Sequence, residues 1–404
     1  MLSGVHVALG VTGSIAAVRC VELVHELRRR GASVRAVTTD AARGIVHPWA
    51  LEFATGHEVV TEITGAVEHV ELCGRSGWAD ALLVAPGTAN TVGKMAAAID
   101  DTPVTTTATT ALGADVPVVV APAMHEPMYD HPGVLESIEI LEEWGVGFVE
   151  PRLEEGKAKI ADDDAIALDV ARATTPQTLA GKTVVVTAGS TTEPLDPVRV
   201  ITNRASGRTG MAVARACYVR GADVVLVGDL SEAPHADVRR TETVAEMLDA
   251  VLEATGDADA LVSAAAISDY TVPASEEKIR SGQDLTLELQ PTPKVIDEVR
   301  RARPDLPIVG FKLETSDDDG MVRAARASIE RAGLSFVVAN DASVMGEETT
   351  RALLVDPVDG EKGEGKEKEK PEEYDGDKYG LGERVAERLA DILSNRSGTD
   401  AGRG

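Results

Sequence analysis

Aromatic residues are scarce in this chain: 3 Trp, 5 Tyr and 4 Phe among 404 residues, or 3%. Its cores must be built from Val, Ala, Leu and Ile, which a hydrophobic content of 43% supplies. Cysteine is scarce too. Cys20, Cys73 and Cys217 have no close spacing, which excludes a disulfide framework and a cysteine zinc site. No apolar run reaches the ~18 residues of a membrane span, and the N-terminus does not read as a signal peptide. Positive charge is short: 40 Lys and Arg face 67 Asp and Glu, a net charge of −27. Phosphate backbones and anionic lipid need clustered cations, so neither nucleic acid nor a membrane is expected as a partner. Arg also outnumbers Lys outside residues 362–378. An acidic, Lys-poor chain of this kind suits high intracellular salt, where a Debye length of ~3 Å at 1 M screens the self-repulsion. An ordinary acidic enzyme is the alternative, and the expected location is the cytoplasm.

What is present is a repeated order of short buried strands and helices. "VHVALG" (5–10), "SVRAVTT" (33–39), "ADALLVAP" (79–86) and "VPVVVAP" (116–122) read as strands, with helical segments at 14–30, 88–99 and 103–111 between them. The order restarts after "TTPQTLAGK" (174–182), with strands at 183–189, 223–228, 258–265, 307–313 and 335–340. Strands alternating with helices predict an α/β chain of two doubly wound, Rossmann-like parallel-sheet domains. The expected division is 1–173, a linker 174–182, and 183–404, with low-complexity 357–378 as a disordered insertion and 380–395 as an amphipathic helix.

The strand ends carry the chemistry. "ALGVTGSIAA" (8–17) is a strand, a turn and a helix start, with Ser14 as an N-cap where free N–H groups suit a phosphate. "APGTAN" (85–90) ends another strand in small residues that admit a flat ring. Thr88, Asn90 and Thr91 offer more hydrogen bonds there than a helix cap alone requires. His69 lies on what reads as a short alternating extended segment, where either a structural or a catalytic role is open. "APAMHEPMY" (121–129) presents His125 at a third strand end.

Taken in order, "TGSIAA", "EHVEL", "WADALLVAPGTAN", "AAAIDD" and "APAM-EPMY" resemble the FMN-dependent cysteine decarboxylases, and among them phosphopantothenoylcysteine decarboxylase, over residues 4–170. The resemblance implies a flavodoxin-like FMN domain. Gly13 and Ser14 would hold the FMN phosphate, and Thr38, Thr88, Ala89, Asn90 and Thr91 would line the flavin. His69 would be the active-site histidine. The family chemistry has flavin oxidise the cysteine moiety, so that decarboxylation yields an ene-thiol that is then reduced. Two departures stand out. The family writes "PAMN", with the Asn on the substrate carboxylate; here His125 takes that place and can still donate a hydrogen bond. The family flap carries an acidic cysteine; "EEGKAKIADDD" (154–164) has none, and Lys159 stands about where it would be, with Lys157 beside it.

In the second half, "TAGSTTEPLDPVRVITNRASGRTG" (187–210), "SAAAISDY" (263–270), "EEKI" (276–279), "GFKLET" (310–315) and "VVANDAS" (337–343) resemble the phosphopantothenate–cysteine ligases over 180–395. The resemblance implies that Asn203 acts on an acyl-cytidylate, with Arg199 in the same motif. Ala265, Asp269, Lys278 and Phe311 would bind CTP, Pro293, Lys294, Val295 and Ile296 would wrap it, and Lys278 would also stabilise charge during cytidylyl transfer. Mg²⁺ would accompany CTP, with no ligand identified. The two lysines the family carries on the helix before "AND" are Ser328 and Ala332 here, with Arg326 and Arg331 nearby. The two families joined in this order resemble bifunctional coenzyme A biosynthesis proteins. That implies 4′-phosphopantothenate, L-cysteine and CTP as substrates, and a homo-oligomer built from trimers and dimers. A ligase joined to an inactive or redirected flavin domain, and a flavin-binding regulator, are the rival readings.

Overall fold

A computed structural model describes residues 1–154, 156–230, 232–233, 235–282, 284–341, 349–358 and 370–400. The chain divides into two compact units, Met1–Pro176 and Gln177–Gly404. Leu179 is fully buried in the second unit's core, so the later part of the expected linker belongs to that unit.

The first unit is built on β1 (His6–Val11), β2 (Ser33–Thr38), β3 (Ala81–Gly87), β4 (Val118–Pro122) and β6 (Gly147–Phe148). They lie in the order β2-β1-β3-β4-β6, and every pairing is parallel. This is the flavodoxin-like winding, with a switch of direction between β1 and β3. β3 is buried along its whole length, as a strand covered by helices on both faces must be. A small antiparallel sheet stands beside it, with β8 (Lys157–Lys159) between β5 (Met124–His125) and β7 (Arg152–Glu154).

The second unit holds β9 (Thr183–Thr187), β10 (Thr192–Pro194), β11 (Val200–Thr202), β12 (Asp223–Gly228), β13 (Asp237–Arg240) and β14 (Ala260–Ser263). It continues with β15 (Tyr270–Thr271), β16 (Gln290–Pro291), β17 (Ile308–Glu314), β18 (Phe336–Asp341), β19 (Thr349–Val355) and β20 (Glu372–Asp377). Its main sheet has eight strands in the order β13-β12-β9-β14-β17-β18-β19-β20. The sheet is mixed and not wholly parallel, because β19 runs antiparallel to both β18 and β20. β20 therefore points the same way as β18.

Two local expectations change. Part of the stretch read as a disordered insertion, 372–377, is strand β20, because pairing with β19 satisfies a backbone whose side chains are too polar to signal a strand. Residues 359–369 of that stretch lie outside the described residues. His69 lies on a helix, Glu68–Cys73, and not on an extended segment. The Glu68 carboxylate accepts hydrogen bonds from the Thr64 N–H at 2.8 Å and from the Thr64 hydroxyl, fixing the helix start, and Leu72 and Cys73 are its buried residues. A six-residue apolar alternation does not distinguish the two periods.

Candidate functional site

In the first unit the carboxyl ends of β1 to β4 enclose a cavity of about 710 Å³. Gly13 and Ser14 follow β1, Thr39 to Ala41 follow β2, Thr88 to Thr91 follow β3, and Ala123 to His125 follow β4. A ligand belongs there because all four turns leave backbone N–H groups and small side chains at one edge. Ser14 accepts a hydrogen bond from the Ala16 N–H at 3.4 Å and opens a short 3-10 helix, Ile15–Arg19. Thr88 caps the helix Ala89–Ala96, accepting from the Thr91 N–H at 3.2 Å. The Thr12 hydroxyl donates to the Pro86 carbonyl at 2.5 Å and ties the β1 and β3 turns together. A methyl group at Gly13 would collide with the Ala41 side chain, so this turn closes only on glycine. At the far wall Lys94 holds both oxygens of Asp101 at 2.8 Å.

These residues fit a flavin mononucleotide. The Gly13–Ser14 turn offers N–H groups to a phosphate, Ala89 and Ala123 leave room for a flat ring, and Asn90 and the Thr88–Thr91 pair face it with hydrogen-bonding groups. The structure gathers Gly13, Ser14, Thr88, Ala89, Asn90, Thr91 and His125 at this cavity. Thr38 is placed otherwise: it is fully buried, and its hydroxyl has no hydrogen-bond partner. His69 does not line the cavity; its Nδ1 is buried without a partner. Lys159 also lies outside the lining, and its ammonium meets Glu154 across the β7–β8 hairpin at 3.0 Å. That hairpin is nevertheless joined to the site, because His125 pairs in register with Lys157. Thr39, Asp40 and Ala41 are lining residues beyond those expected, signalled only by their place after a strand.

In the second unit a narrower cavity, about 220 Å³, opens at the same edge of the main sheet. Gly207 (φ +75°) and Gly210 bring the start of the helix Arg208–Val219 against it. Ala265 and Phe311 line it, as the resemblance to the ligases implied. Lys312, Asn340, Thr350 and Lys378 also line it; Lys312 and Asn340 stand in the quoted motifs "GFKLET" and "VVANDAS", without a role assigned to either, and Thr350 and Lys378 stand in none. The Asn203 amide donates to the Ala266 carbonyl, itself at the cavity wall, at 3.0 Å.

Arg199 is committed elsewhere. Its guanidinium donates to Asp196 at 2.9 and 2.5 Å and to the Ile279 carbonyl. The Asp196 carboxylate also accepts from the Val198, Arg199 and Ile279 N–H groups. Desolvation pushes its pKa upward, but Arg199 and those N–H groups outweigh it and hold the carboxyl well below the usual range. This clamp fixes the turn that carries Lys278, which is exposed. Asp269 and Lys294 form an ion pair with each other. Pro293 is exposed, whereas the Val295 side chain is buried in the core with Ile296 packed on it. Helix periodicity over Val295–Ala302 turns those two side chains inward, so neither wraps a ligand with its side chain. The expectation that Arg326 or Arg331 faces the phosphates also changes. Neither lines the cavity, and Arg331 pairs with Asp297. Among the described residues no group of three or more His, Cys, Asp or Glu side chains could hold a metal ion, and no helix is long and apolar enough to cross a membrane.

The fold and cavities define a flavoprotein unit followed by a second ligand-binding α/β unit on one chain. Residues 1–174 match the family described as Flavoprotein, and residues 179–374 match the DNA/pantothenate metabolism flavoprotein C-terminal domain. The chain is 51% identical over 361 residues to the coenzyme A biosynthesis bifunctional protein CoaBC of Thermococcus kodakarensis, covering 88% of this chain and 89% of that one. It is 33% identical over 402 residues to CoaBC of Methanocaldococcus jannaschii (98% and 96% covered). To CoaBC of Bacillus subtilis it is 34% identical over 366 residues (86% and 88% covered). The chain belongs to the CoaBC family of bifunctional coenzyme A biosynthesis enzymes. It joins a decarboxylase flavoprotein unit, with FMN as cofactor, to a ligase unit.

Proposed function

We propose that the second unit activates 4′-phosphopantothenate with CTP, giving an acyl-cytidylate and pyrophosphate, and that the amine of L-cysteine then displaces CMP to form the amide. The first unit then decarboxylates that product to 4′-phosphopantetheine. The observation that carries the reading is the pair of cavities, one at the carboxyl edge of each sheet, on a chain of this family.

FMN, when bound, accepts and returns the electron pair that allows the carboxylate to leave. The chain's residues do the rest. Gly13 and Ser14 anchor the phosphate end. Thr88, Asn90 and Thr91 orient the ring, and His125 donates a hydrogen bond to the substrate carboxylate from the cavity rim. Lys159 supplies the proton from the hairpin that pairs with His125's strand. In the second unit Asn203 steadies the acyl-cytidylate and Lys278 meets the developing phosphate charge. Ala265 and Phe311 seat the nucleotide, and Asp269 and Lys294 close its side. Mg²⁺ would accompany CTP and offset the charge of its phosphates. Trp49 and Phe53, one helical turn apart and 75% and 81% exposed, support assembly of the first unit into a homo-oligomer.

The test is one reaction with phosphopantothenate, cysteine, CTP and Mg²⁺ at high salt, following pyrophosphate and carbon dioxide separately. Both products are expected in step. Pyrophosphate without carbon dioxide would leave the ligase reading standing and overturn the decarboxylase roles of His125 and Lys159.

A further inference from the structure

The structure assigns the triphosphate of the nucleotide to Lys312 and Lys378, two cations given no role in the motifs quoted above. The inference rests on reading the second unit as nucleotide-dependent, and it answers a problem that reading leaves open. A triphosphate carries several negative charges into a chain of net charge −27. Yet the helix positions where lysines were expected are Ser328 and Ala332. The Ser328 hydroxyl is bonded to the Ala324 carbonyl, and Ala332 is buried.

The cavity has cations of its own, from three separate parts of the sequence. Lys312 comes from the end of β17, Lys378 opens the last helix, and Arg208 opens the helix beside the glycines. Topology brings Lys378 there. Because β19 runs antiparallel and β20 turns back, the last helix starts at the same sheet edge as Arg208–Val219. The two helices pack closely: a methyl group on Gly382, one turn into the last helix, would meet the Ala212 carbonyl oxygen at 2.6 Å.

The charge pattern of the helices supports the assignment. The helices starting at Val244, Val295 and Asp318 carry acids in their first turns, as the helix dipole favours. The two that start at the cavity carry none and begin instead with Arg208 and Lys378. At the last helix the Asp377 carboxylate accepts from the Gly380 N–H at 2.7 Å and caps the start, which leaves the Lys378 ammonium, on the next residue, at the cavity wall. Lys312 lies in the same wall, its ammonium 3.5 Å from Glu314 and its side chain 44% exposed, so it can turn to a phosphate. The lining holds one carboxylate against these three cations, Asp341.

The test is calorimetric titration of the full chain and of Lys312→Gln and Lys378→Gln with CTP, CDP, CMP and 4′-phosphopantothenate. Each substitution is expected to weaken CTP binding at least ~10-fold, with a smaller loss for CDP and under ~2-fold for CMP. Lys312→Arg and Lys378→Arg should recover most of the loss, which a merely structural role would not predict. Unchanged CTP affinity overturns the assignment. So does equal weakening of CTP and CMP, which would place the lysines on the base or sugar. Weakening of 4′-phosphopantothenate alone overturns it too, since the cations would then serve the other substrate. Failure of CTP to bind the unaltered chain would instead sink the nucleotide reading beneath it.

Discussion

The two units solve the same architectural problem with different chemistry at the rim. The first cavity is lined largely by Gly, Ala, Ser, Thr and Asn, and its one lysine, Lys94, is neutralised by Asp101. The second gathers Arg208, Lys312 and Lys378. A flavin brings its own reactivity, so its host supplies shape, backbone N–H groups and a few oriented hydrogen bonds. Phosphoryl chemistry on a triphosphate needs fixed positive charge where negative charge develops. The sheets differ accordingly. The wholly parallel one ends at its fifth strand, while the mixed one adds a reversal that carries a late lysine back to the functional edge.

The sharpest way to separate the units is Gly13→Val. The new side chain must displace Ala41, closing the turn to phosphate. The purified protein should lose its flavin absorbance and decarboxylation should fall on the order of 100-fold, as for a misplaced reactant, while pyrophosphate release continues. A fall in both activities together would mean that the units are not chemically separate. His125→Ala comes next. Losing a charge-assisted hydrogen bond should cost decarboxylation roughly 10- to 100-fold with flavin retained, and His125→Asn should recover most of it. Retention of full rate in the Ala variant would remove His125 from the carboxylate.

A broader comparison is between salt regimes. If the acidic surface is an adaptation to salt, the chain should melt several degrees higher in molar KCl than in dilute buffer, because screening over ~3 Å relieves the repulsion. Equal melting temperatures would reject this. The smallest effect is expected from Asp196→Asn, which loosens one clamp in the second unit only. Its melting should fall by about 4 °C or less, with the first unit's flavin unchanged. Because the folded-state pKa of Asp196 is depressed, its contribution is complete above the ordinary carboxylate value of 3.8. It is lost as pH falls from there through the lower folded value. The wild-type and Asn curves should therefore converge below that window, and a gap independent of pH would mean that the carboxylate charge is not what holds the clamp.

Much of this was written in local sequence. The strand ends at Gly13 and Thr88 were legible because a buried apolar run followed by small and polar residues has few other uses, whereas Ala265 and Phe311 were implied only by the resemblance to the ligases. His69 was misassigned to an extended segment because six residues cannot distinguish two periods when the contact of Glu68 with Thr64 at the helix start decides the matter. β20 was hidden by its charge, since its partner β19 supplies the pairing from more than 15 residues earlier. Val295 and Ile296 belonged to a motif, but a helix face turned them into the core.

Sequence alone determined the family, the two-unit order, the α/β class and the residues adjoining each strand end, since these follow from patterns a few residues long. Tertiary structure alone decided the rest. It placed Lys378 beside Gly207 and Arg208, set Arg199 on Asp196, and left His69 and Lys159 outside the first unit's cavity lining. Those outcomes depend on strand direction and helix packing between segments as much as 170 residues apart, where charge and burial are settled by neighbours that no local pattern names.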